Sequence, residues 1–375
     1  MKIGIDVSRL AFTRTGVGNY VYHLIHHLAR LDGHNEYFLY PRFWSCYPKR
    51  FPIAELPSNL NFKVWNFEKR SNLFGCFLFG NKTSMAGEVD VVHSTNIVAP
   101  CLKNSKLIVT LHDLTYHVYP KWHTVRNVLF SRYYTKRAVQ RAYKIIVDSE
   151  STKKDLLAYY KIEESKIKVI YLAAAPYFYP EQDPSVIQTM RESLGTMGDF
   201  ILYVGTLEPR KNLEALLCAY ARLVSENKEI FPLVISGTPG WKYSSLFKLV
   251  HKLNLSQKIK FLGYVSNDAL RVLYSTASIF VYPSLYEGFG LPVVEAMACG
   301  APVITSGVSS LPEVSGDAAL LIDPKKTDEI YEALKRLFEN ENLRNQLRVK
   351  SLKQSQKFSW FKTAQETLAL YQECM

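Results

Sequence analysis

The chain has 375 residues, of which 47% are hydrophobic and 21% charged, and its formal net charge is +12. This length suits two globular domains of roughly 170–190 residues, and the composition excludes a disordered chain. No apolar run approaches the ~18–20 residues of a membrane span, no signal peptide is evident, and the six cysteines show no Cys-x-x-Cys pair or zinc spacing, so we expect a soluble protein of the reducing cytoplasm.

The excess positive charge lies entirely in the first half of the chain. Residues 1–176 hold 25 Lys and Arg against 13 Asp and Glu, whereas residues 177–375 hold 21 against 21. This uneven distribution of charge predicts that the first half alone binds an anionic partner. A nucleic-acid-binding protein would also explain the charge, but the sequence has no helix-turn-helix or aromatic RNA-binding platform.

The elements along the chain are those of an α/β protein. Runs rich in Val and Ile alternate with helical patterns, which is typical of parallel strands buried on both faces. The pattern predicts two doubly wound Rossmann-like domains. The predicted strands are Lys2–Val7, Tyr37–Tyr40, Phe62–Trp65, Val89–His93, Leu107–Leu111, Lys144–Val147, Val169–Leu172, Phe200–Val204, Leu233–Ser236, Ile259–Phe261, Ile279–Tyr282, Val303–Thr305 and Ala319–Ile322.

The seam between the domains is predicted within Leu172–Asp199. The run Ala173–Pro180 contains two prolines and cannot continue a strand or a helix cleanly. We therefore predict an N-terminal domain of residues 1–176 and a C-terminal domain of residues 177–359. Predicted helices include Asn212–Asn227, Asp328–Phe338 and a last helix within Thr363–Cys374.

A shortened Gly-x-Gly turn, Gly16 to Gly18, follows the first strand and opens a helix. Glycine lets the backbone approach a ligand closely, so this turn is consistent with a diphosphate site. A third glycine, and an acid about 20 residues further on, are missing from the dinucleotide fingerprint. An NAD-dependent oxidoreductase would explain the turn but would leave the second-half carboxylates described below without a role.

His112 and Asp113 end another first-half strand. A histidine at a strand's carboxyl end can donate to a reacting sugar, with Asp113 orienting the ring. A purely structural His–Asp pair is the alternative.

The stretch from 121 to 144 is strongly basic and holds no acid. Apolar and aromatic residues interleave, and with Arg126–Lys144 as a helix, Leu129, Tyr133, Ala138 and Arg141 recur near helical spacing and leave a broad basic face. Such a helix suits an anionic lipid surface, whereas an ordinary solvated face would mix both signs of charge. The predicted membrane or acceptor surface consists of Lys121, Arg126, Arg132, Lys136, Arg137, Arg141 and Lys144.

In the second half, Gly205–Asn212 follows a predicted strand and opens a helix. Its adjacent cations, Arg210 and Lys211, suit a diphosphate, which carries charge on both phosphorus centres. A solvated basic turn is the alternative.

A second segment, Ser284–Glu295, repeats this arrangement with a Gly-rich turn before a short helix. Gly288 and Gly290 permit close approach, and the helix N-terminus favours phosphate. Pro292 suits the first helical position and Gly300 the C-terminal cap. The two carboxylates are predicted to have separate roles: Glu287 in the turn lies beside the phosphate, and Glu295 in the first turn of the helix is within reach of the hydroxyls that flank it. Solvated charges are again the alternative, but both segments lie at the sheet edge where open α/β folds bind ligands.

Together these segments resemble the retaining glycosyltransferases of family 4, which have the GT-B fold, over nearly the whole chain. The most specific signature is Glu287-x7-Glu295 within Glu-Gly-Phe-Gly-Leu-Pro. Supporting motifs are Gly205–Asn212, the Gly16/Gly18 turn, His112-Asp113, Val147–Ser149 and Ser310–Glu313.

The resemblance implies two domains facing across a cleft, with residues 360–375 crossing back onto the N-terminal domain and the donor mainly in the C-terminal half. It implies Glu287 near the sugar hydroxyls, Glu295 at the ribose, and His112 at the reacting sugar. Many members carry Arg where this chain has Thr206, so the leaving-group charge is assigned to Arg210 and Lys211. The remaining implied donor contacts are Gly16, Gly18, Thr206, Val265, Phe289, Gly290 and Leu291.

The implied reaction moves a sugar from a nucleotide diphosphate with retention of anomeric configuration. No Asp-x-Asp occurs, so we predict no metal and no cofactor. Asp6–Arg9 followed by Thr15–Tyr20 resembles mannosyltransferases of bacterial surface polysaccharides, which favours GDP-mannose over the alternative, UDP-sugars. The expected acceptor is a lipid-linked or lipopolysaccharide saccharide, and the expected location is the inner face of the plasma membrane. A relative of the same fold that isomerises or phosphorolyses sugars is the closest enzymatic rival.

Overall fold

A computed structural model describes residues 1–11, 16–40, 62–64, 89–99, 104–240 and 244–374. The chain divides into two compact units. Unit 1 comprises Met1–Leu172 together with Ser359–Met375, and unit 2 comprises Ala173–Phe358. The division therefore falls after residue 172, where the sequence placed it after residue 176.

Unit 1 is built on a seven-stranded parallel sheet of order β3-β2-β1-β4-β5-β6-β7. β1 lies inside the sheet, and Ile5 pairs with Leu39 on one side and His93 on the other. This is the doubly wound order, in which the sequence reverses direction beside β1. The strands are β1 (Lys2–Asp6), β2 (Glu36–Tyr40), β3 (Phe62–Val64), β4 (Val91–Ser94), β5 (Lys106–Leu111), β6 (Lys144–Val147) and β7 (Ile167–Val169).

Two of the first four helices of unit 1 start at side-chain caps. Thr124 accepts from the Asn127 amide at the start of α3, and Ser149 accepts from the Thr152 amide at the start of α4. These helices are α1 (Gly16–Leu31), α2 (Thr115–Val118), α3 (Val125–Arg141) and α4 (Glu150–Tyr159), with 3-10 turns at Ser8–Ala11, Pro120–Trp122 and Glu164–Lys166.

Unit 2 contains a six-stranded parallel sheet of order β10-β9-β8-β11-β12-β13. Its strands are β8 (Ile201–Val204), β9 (Leu233–Ser236), β10 (Ile259–Gly263), β11 (Ile279–Tyr282), β12 (Val303–Ser306) and β13 (Ala319–Ile322). Its helices are α5 (Pro184–Leu194), α6 (Leu213–Glu226), α7 (Ser244–Lys252), α8 (Asn267–Thr276), α9 (Leu291–Ala298), α10 (Leu311–Ser315), α11 (Thr327–Glu339) and α12 (Glu341–Ser355), with a 3-10 turn at Pro209–Lys211.

The prediction of two doubly wound parallel domains is confirmed. The strand bounds shift most at β7, which covers Ile167–Val169 rather than Val169–Leu172. It is an edge strand in which Lys168 points to solvent between the inward-facing Ile167 and Val169. Alternation of this kind carries a weaker apolar signal than the continuous runs of the inner strands.

The last helix, α13 (Trp360–Gln372), belongs to unit 1 and packs on α1. The Trp360 indole stacks on the His23 ring with centroids 4.9 Å apart. The Thr363 hydroxyl donates to the carbonyl of Tyr171 at 2.6 Å. Residues 173–358 are thus inserted between the first and last parts of one structural unit. None of the helices within the described residues is long and apolar enough to cross a membrane.

Candidate active site

Two loops of unit 2 meet where β8 and β11 end. The 3-10 turn Pro209–Lys211 follows β8, and the segment from Ser284 follows β11. The Leu285 amide donates to the carbonyl of Arg210 at 2.9 Å, which fastens one loop to the other. Asn212 then takes a left-handed conformation with φ 60° and starts α6. The sequence prediction that both motifs share one sheet edge is what the geometry shows.

Glu287 is the centre of this edge. Its carboxylate accepts from the Arg210 guanidinium, the Lys211 ammonium and the Ser284 hydroxyl, each at 2.6 Å, and from the Tyr282 hydroxyl at 2.9 Å. The side chain is 9% exposed. Burial alone would raise the pKa of Glu287, but Arg210 and Lys211 outweigh it and lower the pKa to about 2. Glu287 is therefore ionised and held in one orientation.

The two cations are arranged differently from the expectation that both face a diphosphate directly. Arg210 pairs with Glu287 and also with Glu208, the latter at 2.9 Å. Lys211 is buried, lies between Glu287 and Tyr282, and has a pKa lowered by that burial. Two cations thus face two carboxylates, and the cluster is internally neutral. An incoming anion would meet the Arg210 side more readily than Lys211, because the Arg210 side chain is 19% exposed and that of Lys211 9%.

Helix α9 begins next to this cluster. Gly290 is its N-cap with φ 106°, and a Cβ there would lie 2.7 Å from Cδ2 of Leu311. Glycine is therefore needed both for the backbone conformation and for the close approach of α10. The chain then enters α9 with Leu291 and Pro292, so Pro292 takes the second helical position rather than the predicted first. The amides at this start, from Phe289 to Leu291, are the predicted phosphate contacts.

Glu295 lies in the second turn of α9, not in the first as the sequence prediction had it. Its carboxylate accepts from the Tyr274 hydroxyl at 3.2 Å. Burial raises the pKa of Glu295 to about 7, and the Tyr274 hydrogen bond opposes the rise weakly. Gly300 follows the helix with φ 78° and caps it as predicted.

Two further predicted donor contacts lie on loops of unit 2. Thr206 follows β8 and is exposed, and Val265 follows β10 just before Ser266 caps α8. Both residues lie at the carboxyl edge of the sheet.

In unit 1, His112 pairs with a different acid from the one predicted. Its Nδ1 lies 2.7 Å from Oδ2 of Asp148, which follows β6, and its Nε2 lies 3.2 Å from the carbonyl of Thr95. Asp113 instead accepts from the amide and hydroxyl of Thr115 and so starts α2. The orienting role assigned to Asp113 is wrong, because the pairing of Leu111 with Val147 brings Asp148 rather than Asp113 to the His112 ring.

Asp148 is the site residue that sequence reasoning missed, although Val147–Ser149 was among the family motifs. Burial would lower the pKa of His112, but the Asp148 carboxylate outweighs burial and raises it. Both ring nitrogens face acceptors, which fits an imidazolium that donates to Asp148 and to Thr95. One oxygen of Asp148, Oδ1, is buried without a hydrogen-bond partner within the described structure.

We predict that Asp148→Asn lowers the activity that depends on His112 and shifts the pH dependence of that activity. Without the carboxylate the burial effect remains, so the pKa of His112 falls and a protonated ring is lost at lower pH. Turnover should drop by roughly 10²-fold, the lower end of what a positioned acid or base contributes. The pH dependence of kcat/KM between about pH 5.5 and 9 measures both effects. Asp113→Asn is the control, and an equal loss in that variant would contradict the pairing.

The structure describes only the second part of the glycine turn. Gly16 and Gly18 are the first and third residues of α1, and Gly18 is buried. Residues 12–15, which precede them, lie outside the described residues. The prediction that this helix start contacts a diphosphate stays a prediction.

The predicted basic surface from Lys121 to Lys144 is exposed only in part. Arg126, Lys136 and Arg141 are exposed on α3, and Lys121 is exposed in the preceding 3-10 turn. Leu129 and Tyr133 are exposed too, at 64% and 53%, so the helix packs inward through Val128, Thr135, Ala138 and Val139 instead.

Three of the seven predicted surface cations, Arg132, Arg137 and Lys144, are half-buried, and Arg137 donates to the Tyr133 hydroxyl at 3.0 Å. Lys144 lies on β6 and pairs with Glu373 at 3.1 Å. Arg132 is half-buried, and its Nε is enclosed without a hydrogen-bond partner in the described part of the chain. The exposed basic surface is therefore narrower than predicted. In the described ranges no three His, Cys, Asp or Glu side chains are grouped to hold a metal ion.

Two family models match this chain. A family model described as Glycosyltransferase Family 4 matches residues 14–174, and one described as Glycosyl transferases group 1 matches residues 187–354. Each covers one half of the chain and includes the site residues of that half.

Individual relatives extend the match. The O-antigen chain mannosyltransferase B of Escherichia coli is 32% identical over 75% of this chain and 74% of its own length. The serotype-specific mannosyltransferase WbdA of Escherichia coli is 31% identical over 69% of this chain, which spans about a third of that longer protein (32%).

Among solved structures, HepE of Anabaena in complex with UDP-glucose superposes with a TM-score of 0.77 at 18% identity and full coverage of both chains, 100% each. This likeness confirms the predicted GT-B fold. The identity and coverage shared with mannosyltransferase B, together with the two family models, show that the chain belongs to glycosyltransferase family 4.

Proposed function

We propose that this enzyme transfers mannose from GDP-mannose to a saccharide acceptor with retention of configuration. The observation that carries the proposal is Glu287, a buried ionised carboxylate fixed by four donors beside the start of α9. Such a group recognises sugar hydroxyls, which are O–H donors. The names of mannosyltransferase B and WbdA favour mannose and a polysaccharide acceptor. The second candidate, a UDP-sugar, rests on HepE, which is described in complex with UDP-glucose.

The proposed roles follow from the charges of unit 2. The helix start at Phe289–Leu291 receives the phosphates, and Arg210 and Lys211 stabilise the negative charge on the departing nucleotide diphosphate. Preorganised donors of this kind are usually the largest single contribution to such a reaction. Glu287 holds the sugar and Glu295 the ribose. His112 in unit 1 donates to the reacting sugar.

A panel of nucleotide sugars tests the donor. Binding at 100 times the dissociation constant raises the unfolding free energy by about 2.7 kcal/mol, which a thermal shift detects. We expect GDP and GDP-mannose to stabilise the protein and UDP compounds to do so weakly. Transfer to an acceptor, with NMR of the product's anomeric proton, then tests retention. Release of sugar 1-phosphate together with GDP, dependent on added inorganic phosphate and independent of acceptor, would favour the phosphorolytic alternative.

We further propose that no metal ion is required, because protein cations and the helix start carry the phosphate charge. The same assay in EDTA tests this. Unchanged turnover after exhaustive chelation is expected, and full loss of turnover that Mg²⁺ or Mn²⁺ restores would overturn it.

Glu295 makes donor binding depend on pH. A carboxylate accepts two ribose hydroxyls, and its pKa of about 7 in the free protein means that half of the molecules are protonated near neutrality. Below that pH, binding must release a proton. We predict that donor affinity rises with pH from about 6 and levels off near 8. Calorimetry in buffers of different ionisation enthalpy measures the released proton, and Glu295→Gln should show neither effect.

For location, we propose that unit 1 docks on the anionic inner face of the plasma membrane through α3. Val125, Leu129 and Tyr133, spaced by four residues, are exposed at 76%, 64% and 53%. Arg126 and Lys136 are exposed on the same helix. An apolar stripe flanked by cations matches a helix lying in a membrane interface, where each Lys or Arg near the surface adds about 1 kcal/mol.

Vesicles test the surface. The wild-type protein should sediment with phosphatidylglycerol vesicles, and the bound fraction should fall at high salt. Phosphatidylcholine vesicles should bind little protein. Leu129→Ser with Tyr133→Ser should release the protein. Val349→Ser, an equally exposed apolar residue of unit 2 at 69%, is the matched control. Equal retention of the α3 variant and the control would exclude this surface.

A further inference from the structure

A chain of buried polar groups lies beneath α1 and α13 in unit 1. The Tyr371 hydroxyl of α13 is 2.6 Å from Nδ1 of His93. Nε2 of His93 is 2.7 Å from the Thr110 hydroxyl, and that hydroxyl is 3.0 Å from the Tyr20 hydroxyl of α1. The Tyr20 ring then meets the His112 ring edge to face, with centroids 5.0 Å apart. The chain is continuous from the last helix to the predicted catalytic histidine.

These groups occupy places where a doubly wound sheet is ordinarily apolar. His93 and Thr110 lie on the inner strands β4 and β5 and have no exposed surface, and Tyr20 and Tyr371 are at most 1% exposed. Burying four polar side chains costs free energy unless each finds a partner, and here each does. A satisfied network of this kind specifies one arrangement of the elements that it joins.

The elements joined are those that carry the site of unit 1. Thr110 lies on β5 and His112 directly follows that strand, and Tyr20 contacts both, the first through its hydroxyl and the second through its ring. Tyr20 lies two residues after Gly18 in α1, the helix whose start is a predicted diphosphate contact. The Thr110 hydroxyl therefore fixes the start of α1 against the strand that precedes His112.

We infer that Tyr371, His93 and Thr110 are positioning residues for sugar transfer, which hold Tyr20 and through it the ring of His112 in the reactive orientation. This inference rests on the proposed function. It adds a role for the last helix, whose residue acts on the site through three hydrogen bonds rather than by touching substrate.

The charges around the network fit a structural rather than a titrating role for His93. Burial and the neighbouring His112 lower the pKa of His93 to about 3, so its ring is neutral and has one donor and one acceptor nitrogen. The groups that act on His112 are Asp148, Asp113 and the carbonyl of Thr95. Tyr20 adds an aromatic ring and no charge.

The test compares two substitutions at one position. Thr110→Val keeps the shape and removes the hydroxyl, whereas Thr110→Ser keeps the hydroxyl. Tyr371→Phe breaks the network at its far end. Tyr37→Phe is the matched control, because Tyr37 is also a buried tyrosine of unit 1, but it donates to Asp32 outside the network.

We expect Thr110→Val and Tyr371→Phe to lower kcat at least about tenfold with little change in the donor KM, since a 1 Å misplacement of reacting groups costs about 10²-fold. Thr110→Ser should restore most of the rate. The imidazole resonances of His112, assigned by comparison with His112→Gln, should move in Thr110→Val and Tyr371→Phe but not in Tyr37→Phe.

Two results would overturn the inference. One is an unchanged rate and unchanged His112 resonances in both network variants; the other is a loss in Thr110→Ser as deep as in Thr110→Val. If the wild type transfers no sugar from any donor, the proposed function fails. The His112 resonances of the free protein still decide whether the network positions that ring.

Discussion

Replacing Glu287 by glutamine is expected to lower the free energy of unfolding by about 3–5 kcal/mol and turnover by roughly 10²–10³-fold. The substitution keeps the shape but removes the charge that neutralises Arg210 and Lys211, each 2.6 Å away. Both cations would remain in a largely buried site with Glu208 as the remaining neighbouring anion. Urea unfolding and steady-state kinetics measure the two effects.

Glu226→Gln is the control for this variant. Glu226 also pairs with cations in unit 2, Arg222 and Lys335, but its side chain is 40% exposed. Exposed pairs contribute little to stability, because solvent screens their charges. If the two glutamine variants lost equal stability, Glu287 would not be the electrostatic centre of its site.

Arg210 and Lys211 also determine how far the pH can fall before Glu287 stops stabilising the fold. The pKa of Glu287 is lowered to about 2 in the folded protein, below its ordinary value of 4.5. The stabilising effect is therefore complete above about pH 4.5 and disappears as the pH falls toward 2. Glu287→Gln should remove this part of the acid dependence of unfolding.

Lys211→Ala is expected to lower turnover by roughly 10²–10³-fold, by analogy with the loss of one oxyanion donor. The Lys211 ammonium lies between Glu287 and Tyr282, at 2.6 and 2.5 Å. Its loss removes positive charge from the place where the leaving diphosphate gains negative charge, while Arg210 still holds Glu287. The effect should therefore fall on kcat and kcat/KM together.

A double substitution separates shared from independent roles. Because Lys211 and Glu287 form one pair, Lys211→Ala combined with Glu287→Gln should cost much less than the sum of the two single losses. Strict additivity would mean that the two residues act separately. Wild-type turnover in both single variants would refute the donor-site assignment altogether.

The inner strands could be predicted because their runs of Val and Ile are continuous, and the site motifs because the carboxyl ends of parallel strands share one edge. Contacts between side chains that follow neighbouring strands could not be predicted. His112 finds Asp148 because Leu111 of β5 pairs with Val147 of β6, which brings the next residues together. Sequence proximity favoured Asp113, whose carboxylate instead accepts from the amide and hydroxyl of Thr115, the first residue of α2.

Two further features depended on long-range packing. Arg210 and Lys211 lie 77 and 76 residues before Glu287, and nothing local indicates that they neutralise it rather than a ligand. On α3, apolar residues occur on more than one side, so periodicity alone did not show that Leu129 and Tyr133 face outward. Burial of Val128 and Val139 settled which side packs.

The assignment of α13 to unit 1 has a consequence for biosynthesis. The ribosome makes residues 360–372 after all of 173–358, so the surface of α1 that receives Trp360 stays uncovered while the second unit is translated and folds. The first-made unit is thus the last to be completed. Nascent chains released before residue 360 should retain an accessible apolar strip on α1, with His93 still lacking the hydroxyl of Tyr371.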